Sequence, residues 1–298
     1  MLLCDPSFAL DDARAELAGF TVERGESPWE GADVVGLLVT DRQAVTESDL
    51  DQLPALRVIA SATVGVDHVA VEAAERRGIA VRNVPDYCIE EVADSTLALL
   101  LTLLRGVVEL DRSVRAGRWD SAAAGPLRRI FGLRLGIVGF GRIGRAVARR
   151  ALALGFEVWA TDPVVSAAEI TAAGGRSATL DELLGGCDAV TLHVPLTQGT
   201  EGLMGARELG LMPGGAVLVN TARGRLVDLE ALVAALTRGH LAGAALDVLP
   251  VEPPERPPQA PGLIVTPHAA WYSPEAAREA RARALSELRT ALGLAEGG

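Results

Sequence analysis

LRLGIVGFGRIGRAVARRALALGFEVWATDP, residues 133–163, decides the fold. It reads as a buried strand, a glycine-rich turn, a helix and a second strand ending in an acid, the order of a parallel βαβ unit. Gly139, Gly141 and Gly144 form GxGxxG in the context that gives the motif meaning. The first glycine permits the tight turn, the second lets backbone approach a pyrophosphate, and the third lets helix meet strand closely. The helix N-terminus, with Arg142 and Ile143 in its first turn, then faces the phosphates. Asp162 lies 18 residues past Gly144. There an acid can accept hydrogen bonds from the adenosine ribose hydroxyls and repel a 2'-phosphate, which favours NAD over NADP. It also suits a strand-end Asp that caps its turn with Pro163.

Outward from this unit the same rhythm continues. DAVTLHVP, GAVLVNTA, GAALDV and LIVTP downstream extend one large sheet, while DVVGLLVT, RVIASAT and IAVRNVP upstream read as buried strands of a smaller α/β unit. ESDLDQL and VAVEAAERRG are helix-like connections between those strands. EEVADSTLALLLTLLRGVVELDRSVRAGRW begins too apolar on all sides for a helix with a solvated face, so it is expected to be buried, with a second copy of the chain as one cover. PVEPPERPPQAPG reads as an extended surface loop because proline continues neither a helix nor a central strand. PEAAREARARALSELRTALGL is helical again and runs into a glycine-rich tail, and no solenoid-type repeat is present.

Composition excludes several classes. A chain of 298 residues, 49% apolar, can bury one large or two medium cores. The net charge of -11 opposes nucleic acid and anionic membranes as partners. No export leader and no membrane-length apolar run is present, so a soluble cytoplasmic protein is expected. Cys4, Cys88 and Cys187 are scattered and outside any CxxC spacing, which suggests neither disulfides nor a metal site. All 28 basic residues are Arg. Schiff-base and phosphate-loop lysine chemistry are therefore impossible.

Three residues in the C-terminal half point to chemistry: Arg223 in NTARGRLVD, Glu252 in ALDVLPVEPP and His268 in VTPHAAWYS. Arg offers a fixed, always-charged fork for a carboxylate. His can carry a proton near neutral pH, and a Glu beside it can hold the imidazole oriented and charged. Of the other histidines, His240 reads as a helix-end residue, His193 as a strand-end cofactor neighbour and His68 as a rim residue.

GFGRIG, Asp162, LHVPLT, NTARGRLVD, GAALDV, EPP and TPHAAW together resemble the D-isomer-specific 2-hydroxyacid dehydrogenases over nearly the whole chain, in that family's order. TPHAAWYSPEA is similar to the C-terminal-binding-protein branch, in which a Trp stands three positions after the catalytic His; here that residue is Trp271. The resemblance implies that Arg223 binds the carboxylate and carbonyl of a 2-oxo acid, that His268 donates or removes the proton, and that Glu252 supports His268. It implies NAD(H) contacts from Thr96, His193, Val194, Pro195, Thr200, Thr221, Ala222, Asp247 and His268 besides the glycine loop. Asp247 also suits a strand-end turn acid. For the substrate it implies the N–H groups of Val64 and Gly65 around the carboxylate, and Trp271 as a pocket wall suited to an apolar side chain.

Ser61 stands where several C-terminal-binding proteins carry Arg, so a second cationic anchor is missing. The absence of Lys argues against phosphite dehydrogenases, Glu252 in place of Gln argues against formate dehydrogenases, and no appended regulatory module of the phosphoglycerate dehydrogenase kind is seen. The expected fold is α/β: two doubly wound parallel-sheet domains, with a Rossmann NAD domain (94–268) inserted in a smaller flavodoxin-like substrate domain (1–93 plus 269–298). The active site is expected in the cleft between the domains, which close on ligand, and the chain is expected to form a homodimer through the apolar helix. The expected function is an NAD-dependent D-2-hydroxyacid dehydrogenase or 2-oxoacid reductase. The alternative is an NADH-sensing interaction protein similar to the C-terminal-binding proteins, with incidental turnover.

Overall fold

The computed structural model describes residues 1–17 and 19–294, so the last four residues of the expected tail, 295–298, lie outside the described residues. The chain divides into two compact units, Met1–Tyr87 with Ser273–Gly298, and Cys88–Tyr272. The second is thus an insertion in the sequence of the first.

In the smaller unit, strands β1 (Leu2–Cys4), β2 (Val22–Arg24), β3 (Gly36–Val39), β4 (Val58–Ser61) and β5 (Ala80–Arg82) form one parallel sheet in the order β2-β1-β3-β4-β5. This is the flavodoxin-like order. β3 and β4 are buried along their whole length, as parallel strands covered by helices on both faces must be. Helices α1 (Leu10–Glu16), α2 (Glu47–Asp51), α3 (Val71–Arg76) and α11 (Pro274–Ala291) accompany the sheet. α2 starts on a reciprocal capping box between Thr46 and Asp49. α11 buries a small-residue stripe, Ala277, Ala280 and Ala284, together with Leu288.

In the larger unit, helices α4 (Ile89–Leu104) and α5 (Val107–Arg115) precede β6 (Arg134–Val138), α6 (Arg142–Ala153), β7 (Glu157–Thr161), α7 (Ala167–Ala172), β8 (Arg176–Ser177) and α8 (Leu180–Gly186). There follow β9 (Ala189–Leu192), α9 (Ala206–Leu211), β10 (Val217–Asn220), α10 (Leu229–Thr237), β11 (Gly243–Leu246) and β12 (Leu263–Val265). All strands are parallel, in the order β12-β11-β10-β9-β6-β7-β8. The chain leaves β6 toward β7 and β8, then returns to add β9 on the other side. The strand order therefore reverses beside β6, where doubly wound sheets open a crevice at their C-terminal edge.

One face of the apolar helix packs within its own unit. Leu97 and Leu100 of α4 join Ile137, Val147, Val219 and Ala245 in one core. α4 also runs unbroken past residue 93, so the unit boundary falls just before it. Sequence reading treated 90–119 as one stretch, whereas the chain breaks at Gly106, a left-handed residue (φ +57°) where a Cβ would meet Ala124 Cβ at 2.4 Å. Gly106→Ala combines that conformational cost with the contact. It should lower unfolding stability by about 1–3 kcal/mol in urea denaturation, whereas Gly78→Ala, also left-handed but in open space, should cost less.

Candidate active site

The glycine loop links β6 to α6, and its three glycines answer different demands. Gly139 has φ +96°, and a Cβ there would lie 2.6 Å from the His193 carbonyl carbon. A Cβ on Gly144 would lie 2.1 Å from the Gly139 oxygen. Both are required by the protein's own packing. Gly141 is not: a Cβ there would meet no described atom within 4 Å, so its bareness keeps space open for an incoming group beside the N-terminus of α6. Arg142 is the first residue of that helix, and Ile143 packs toward the core.

Asp162 closes the loop from the next strand. Its carboxylate accepts the Phe140 N–H (2.7 Å) and the N–H groups of Val164 (2.8 Å) and Val165 (2.9 Å). Burial opposes ionisation, but these three donors and nearby Arg145 outweigh it and hold the carboxyl below its ordinary range. A fixed anion beside a glycine cradle at a helix N-terminus suits an adenine dinucleotide without a 2'-phosphate.

Past β9, His193 bonds Thr191 Oγ1 through Nε2 at 3.1 Å, and burial pushes the ring down to about 3, so it is neutral. The loop from Val194 and Pro195 is tied by Thr200, whose hydroxyl donates to Pro195 O at 2.6 Å and accepts the Thr197 N–H at 2.8 Å. Thr96 in α4 is fully buried, and its hydroxyl lies 2.8 Å from that of Thr221.

Arg223 sits in the turn after β10. Its Nη1 donates to Ala222 O at 2.8 Å. Next to it, Gly224 presses onto the neighbouring loop: a Cβ would lie 2.0 Å from the Leu249 carbonyl carbon. The turn that carries Arg223 and the loop that carries Glu252 are thus in backbone contact. In that loop Glu252 accepts the Leu249 N–H at Oε1 (2.6 Å) and faces His268 Nδ1 across 2.7 Å at Oε2. Burial raises the Glu252 carboxyl, yet the bonds to His268 and Leu249 and the charge of Arg223 outweigh it and hold it below its usual range. An ionised carboxylate only accepts, so the proton in this bond belongs to Nδ1.

His268 is held at φ +53°, the one non-glycine residue with positive φ among the described residues. Asp247, 2% exposed, builds that turn: its carboxylate accepts Thr266 Oγ1 (2.5 Å), Ala269 N (2.9 Å) and Ala270 N (2.8 Å). Its side chain is therefore spent on placing His268. Trp271 follows, half-buried, edge-on to Tyr272 with ring centroids 5.6 Å apart.

The family model of the D-isomer specific 2-hydroxyacid dehydrogenase NAD binding domain matches residues 97–270. The chain belongs to this family. It is an NAD-dependent oxidoreductase of the CH–OH group of 2-hydroxy acids. Glycerate dehydrogenase of Methylorubrum extorquens is 38% identical over 267 residues, 84% of this chain and 82% of that enzyme. D-3-phosphoglycerate dehydrogenase of Bacillus subtilis is 37% identical over 85% of this chain, which spans 48% of that longer protein. The structure of D-lactate dehydrogenase from Aquifex aeolicus, solved with NAD and lactic acid, superposes with a TM-score of 0.90 at 28% identity, covering 99% of this chain and 96% of that one.

In the smaller unit, taken by itself, Val64 and Gly65 lie in the loop after β4. Their carbonyls accept Asn83 Nδ2 (2.6 Å) and Thr63 Oγ1 (2.7 Å), while their N–H groups have no acceptor among the described residues. Ser61, buried, bonds Thr63 Oγ1 at 2.6 Å and His68 Nε2 at 3.0 Å, so His68 is part of an internal polar network.

Gly224, Thr266 and Asn220 lie inside the NTARGRLVD and TPHAAW motifs, yet their roles are tertiary: Gly224 meets the Leu249 backbone, Asn220 bonds the Arg223 turn and Thr266 bonds the Asp247 carboxylate, none of which sequence alone displays. Asp162 allows a direct check. Asp162→Asn should weaken NADH binding about 10- to 100-fold and narrow the gap to NADPH, read by nucleotide fluorescence. The acid's contribution to stability is complete above its ordinary value of 3.8 and is lost as pH falls through its depressed folded value. The stability margin of wild type over Asp162→Asn should therefore hold at neutral pH and shrink only in strong acid.

Proposed function

We propose that this chain reduces a small 2-oxo acid with an apolar side chain, or oxidises the matching 2-hydroxy acid, with Arg223, His268 and Glu252 in the catalytic roles. The observation that carries the reading is the 2.7 Å pair of Glu252 and His268, with Arg223 close enough to lower the Glu252 carboxyl. Arg223 binds the substrate carboxylate and carbonyl oxygen and stabilises the negative charge that grows on that oxygen. His268, anchored through Nδ1, delivers a proton from Nε2 to the same oxygen, and Glu252 offsets the imidazolium charge. The bound nicotinamide supplies the hydride. Trp271 walls the substrate side chain; in the smaller unit, Val64 and Gly65 carry two N–H groups without an acceptor among the described residues, the donors we propose for a substrate carboxylate.

The glycine loop, Asp162 and the turns at His193–Thr200 and Thr221–Ala222 form the proposed NAD(H) contacts, with Thr96 acting through Thr221 and Asp247 through the turn of His268. In a panel of 2-oxo acids (glyoxylate, pyruvate, hydroxypyruvate, phenylpyruvate and 4-methylthio-2-oxobutyrate), NADH oxidation should saturate with at least one. Arg223→Ala should abolish that turnover and leave NADH binding largely intact. Tight NADH binding without turnover in the parent chain would instead favour the sensing role, and normal activity in the variant would end the catalytic assignment.

The proposal includes a homodimer. Val107 (51% exposed), Val114 (48%), Trp119 (92%) and Phe131 (76%) leave large apolar surface on α5 and the segment after it. A second copy is the occupant we propose for this face. Light scattering should give twice the chain mass, falling to a single chain in Trp119→Asp/Phe131→Asp; a monomeric parent chain contradicts it.

A further inference from the structure

We propose that Asn220 is the positioning residue that aims Arg223, an inference that rests on the catalytic reading of Arg223. Asn220 ends β10 and is 0% exposed. A buried amide at the end of an apolar strand is costly unless both of its ends are satisfied. Here both ends are bonded to one turn: Oδ1 accepts the Ala222 N–H at 3.0 Å, and Nδ2 donates to Arg223 O at 2.8 Å.

Those two bonds pin the backbone on both sides of the Arg223 α-carbon. Ala222 N–H lies one peptide before it and Arg223 C=O one bond after it. The same carbonyl also accepts the Leu226 N–H at 3.2 Å. Between the two pins Arg223 is extended (φ -144°, ψ 138°), a conformation that by itself allows a wide range of side-chain directions. The Asn220 amide thus helps to fix the direction in which the Arg223 Cα–Cβ bond leaves the backbone. Gly224 then locks the far side of the turn onto Leu249 and Pro250, three residues or fewer from Glu252. Asn220 thus stands to Arg223 as Asp247 stands to His268, each a buried strand-end side chain cupping one turn. The two strand ends are joined directly, since Asp247 N donates to Asn220 O at 2.9 Å.

The experiment compares Asn220→Ala and Asn220→Asp with the parent chain. It measures kcat and KM for the best 2-oxo acid of the panel, the Kd of NADH, and the Kd of oxamate, a non-reducible carboxylate probe, for the NADH complex. Asn220→Ala should lower kcat/KM about 100-fold, the size expected for a misplaced reacting group, and weaken oxamate far more than NADH.

Asn220→Asp keeps the acceptor for Ala222 but turns an oxygen toward the Arg223 carbonyl. Protonating that carboxyl restores the missing donor, so the ratio of variant to parent kcat/KM should climb as pH is lowered. The titratable and charged neighbours, Arg223 in the turn, Asp247 after β11, His193 after β9 and Glu252 beyond Gly224, are present in both proteins, so the only new titrating group in the ratio is the introduced carboxyl. A merely structural Asn would give no such rise.

A pH-independent ratio, or unchanged oxamate affinity in Asn220→Ala, overturns the inference. If the alanine variant does not fold, the aspartate profile decides alone. A parent chain that neither turns over nor binds oxamate removes the catalytic reading and this inference with it. A working parent whose Asn220 variants behave normally overturns only the inference.

Discussion

Two main-chain hydrogen bonds beyond the strand ends underlie the site. Asp247 N–H donates to Asn220 O at 2.9 Å, and His268 N–H donates to Asp247 O at 2.8 Å. They continue the ladder of β10, β11 and β12 past its last paired residues, so the turns carrying Arg223 and His268 are registered on a rigid sheet edge. Parallel strands deliver all their outgoing turns to one edge. Arg223 and His268, 45 residues apart in sequence, are thus carried by turns at one sheet edge. Glu252 comes from a proline-rich loop with no such ladder, and it is held instead by its own bond to Leu249 N–H and by the backbone contact at Gly224.

Glycines mark where backbone must meet backbone. Gly139 against His193, Gly144 against Gly139 and Gly224 against Leu249 each leave no room for a methyl group. Of the three loop glycines only Gly141 has no described atom within 4 Å of a built Cβ, so its surroundings leave room beside the N-terminus of α6. Asp162 unites the glycine loop with the following strand by accepting Phe140 N–H, and so couples the cofactor cradle to the sheet by a charge-assisted bond.

Much of this was legible in the sequence because it is written locally. The βαβ stretch at 133–163, the glycine spacing and the trio of Arg223, Glu252 and His268 need only a few neighbours to be recognised, and the structure brings Glu252 and His268 into contact. What escaped reading depends on tertiary contacts. β1 and β2 are three residues each, too short to show a period. At the break, Gly106 leaves room for Ala124, eighteen positions away. One face of α4, with Leu97 and Leu100, packs into the core of its own unit, a contact that a uniformly apolar sequence does not reveal. Asn220 opens the NTARGRLVD motif, but its hold on the turn shows only in its complete burial and its two bonds there.

The central claim is that these strand-end turns together perform reduction of a 2-oxo acid. The most direct measurement is turnover with NADH deuterated at the nicotinamide C4, followed by mass spectrometry of the acid product. Deuterium at C2 of a 2-hydroxy acid is the predicted result, and its formation should vanish in Arg223→Ala. Oxidation of the nucleotide without a deuterated 2-hydroxy acid, or labelled product undiminished in that variant, would contradict the account.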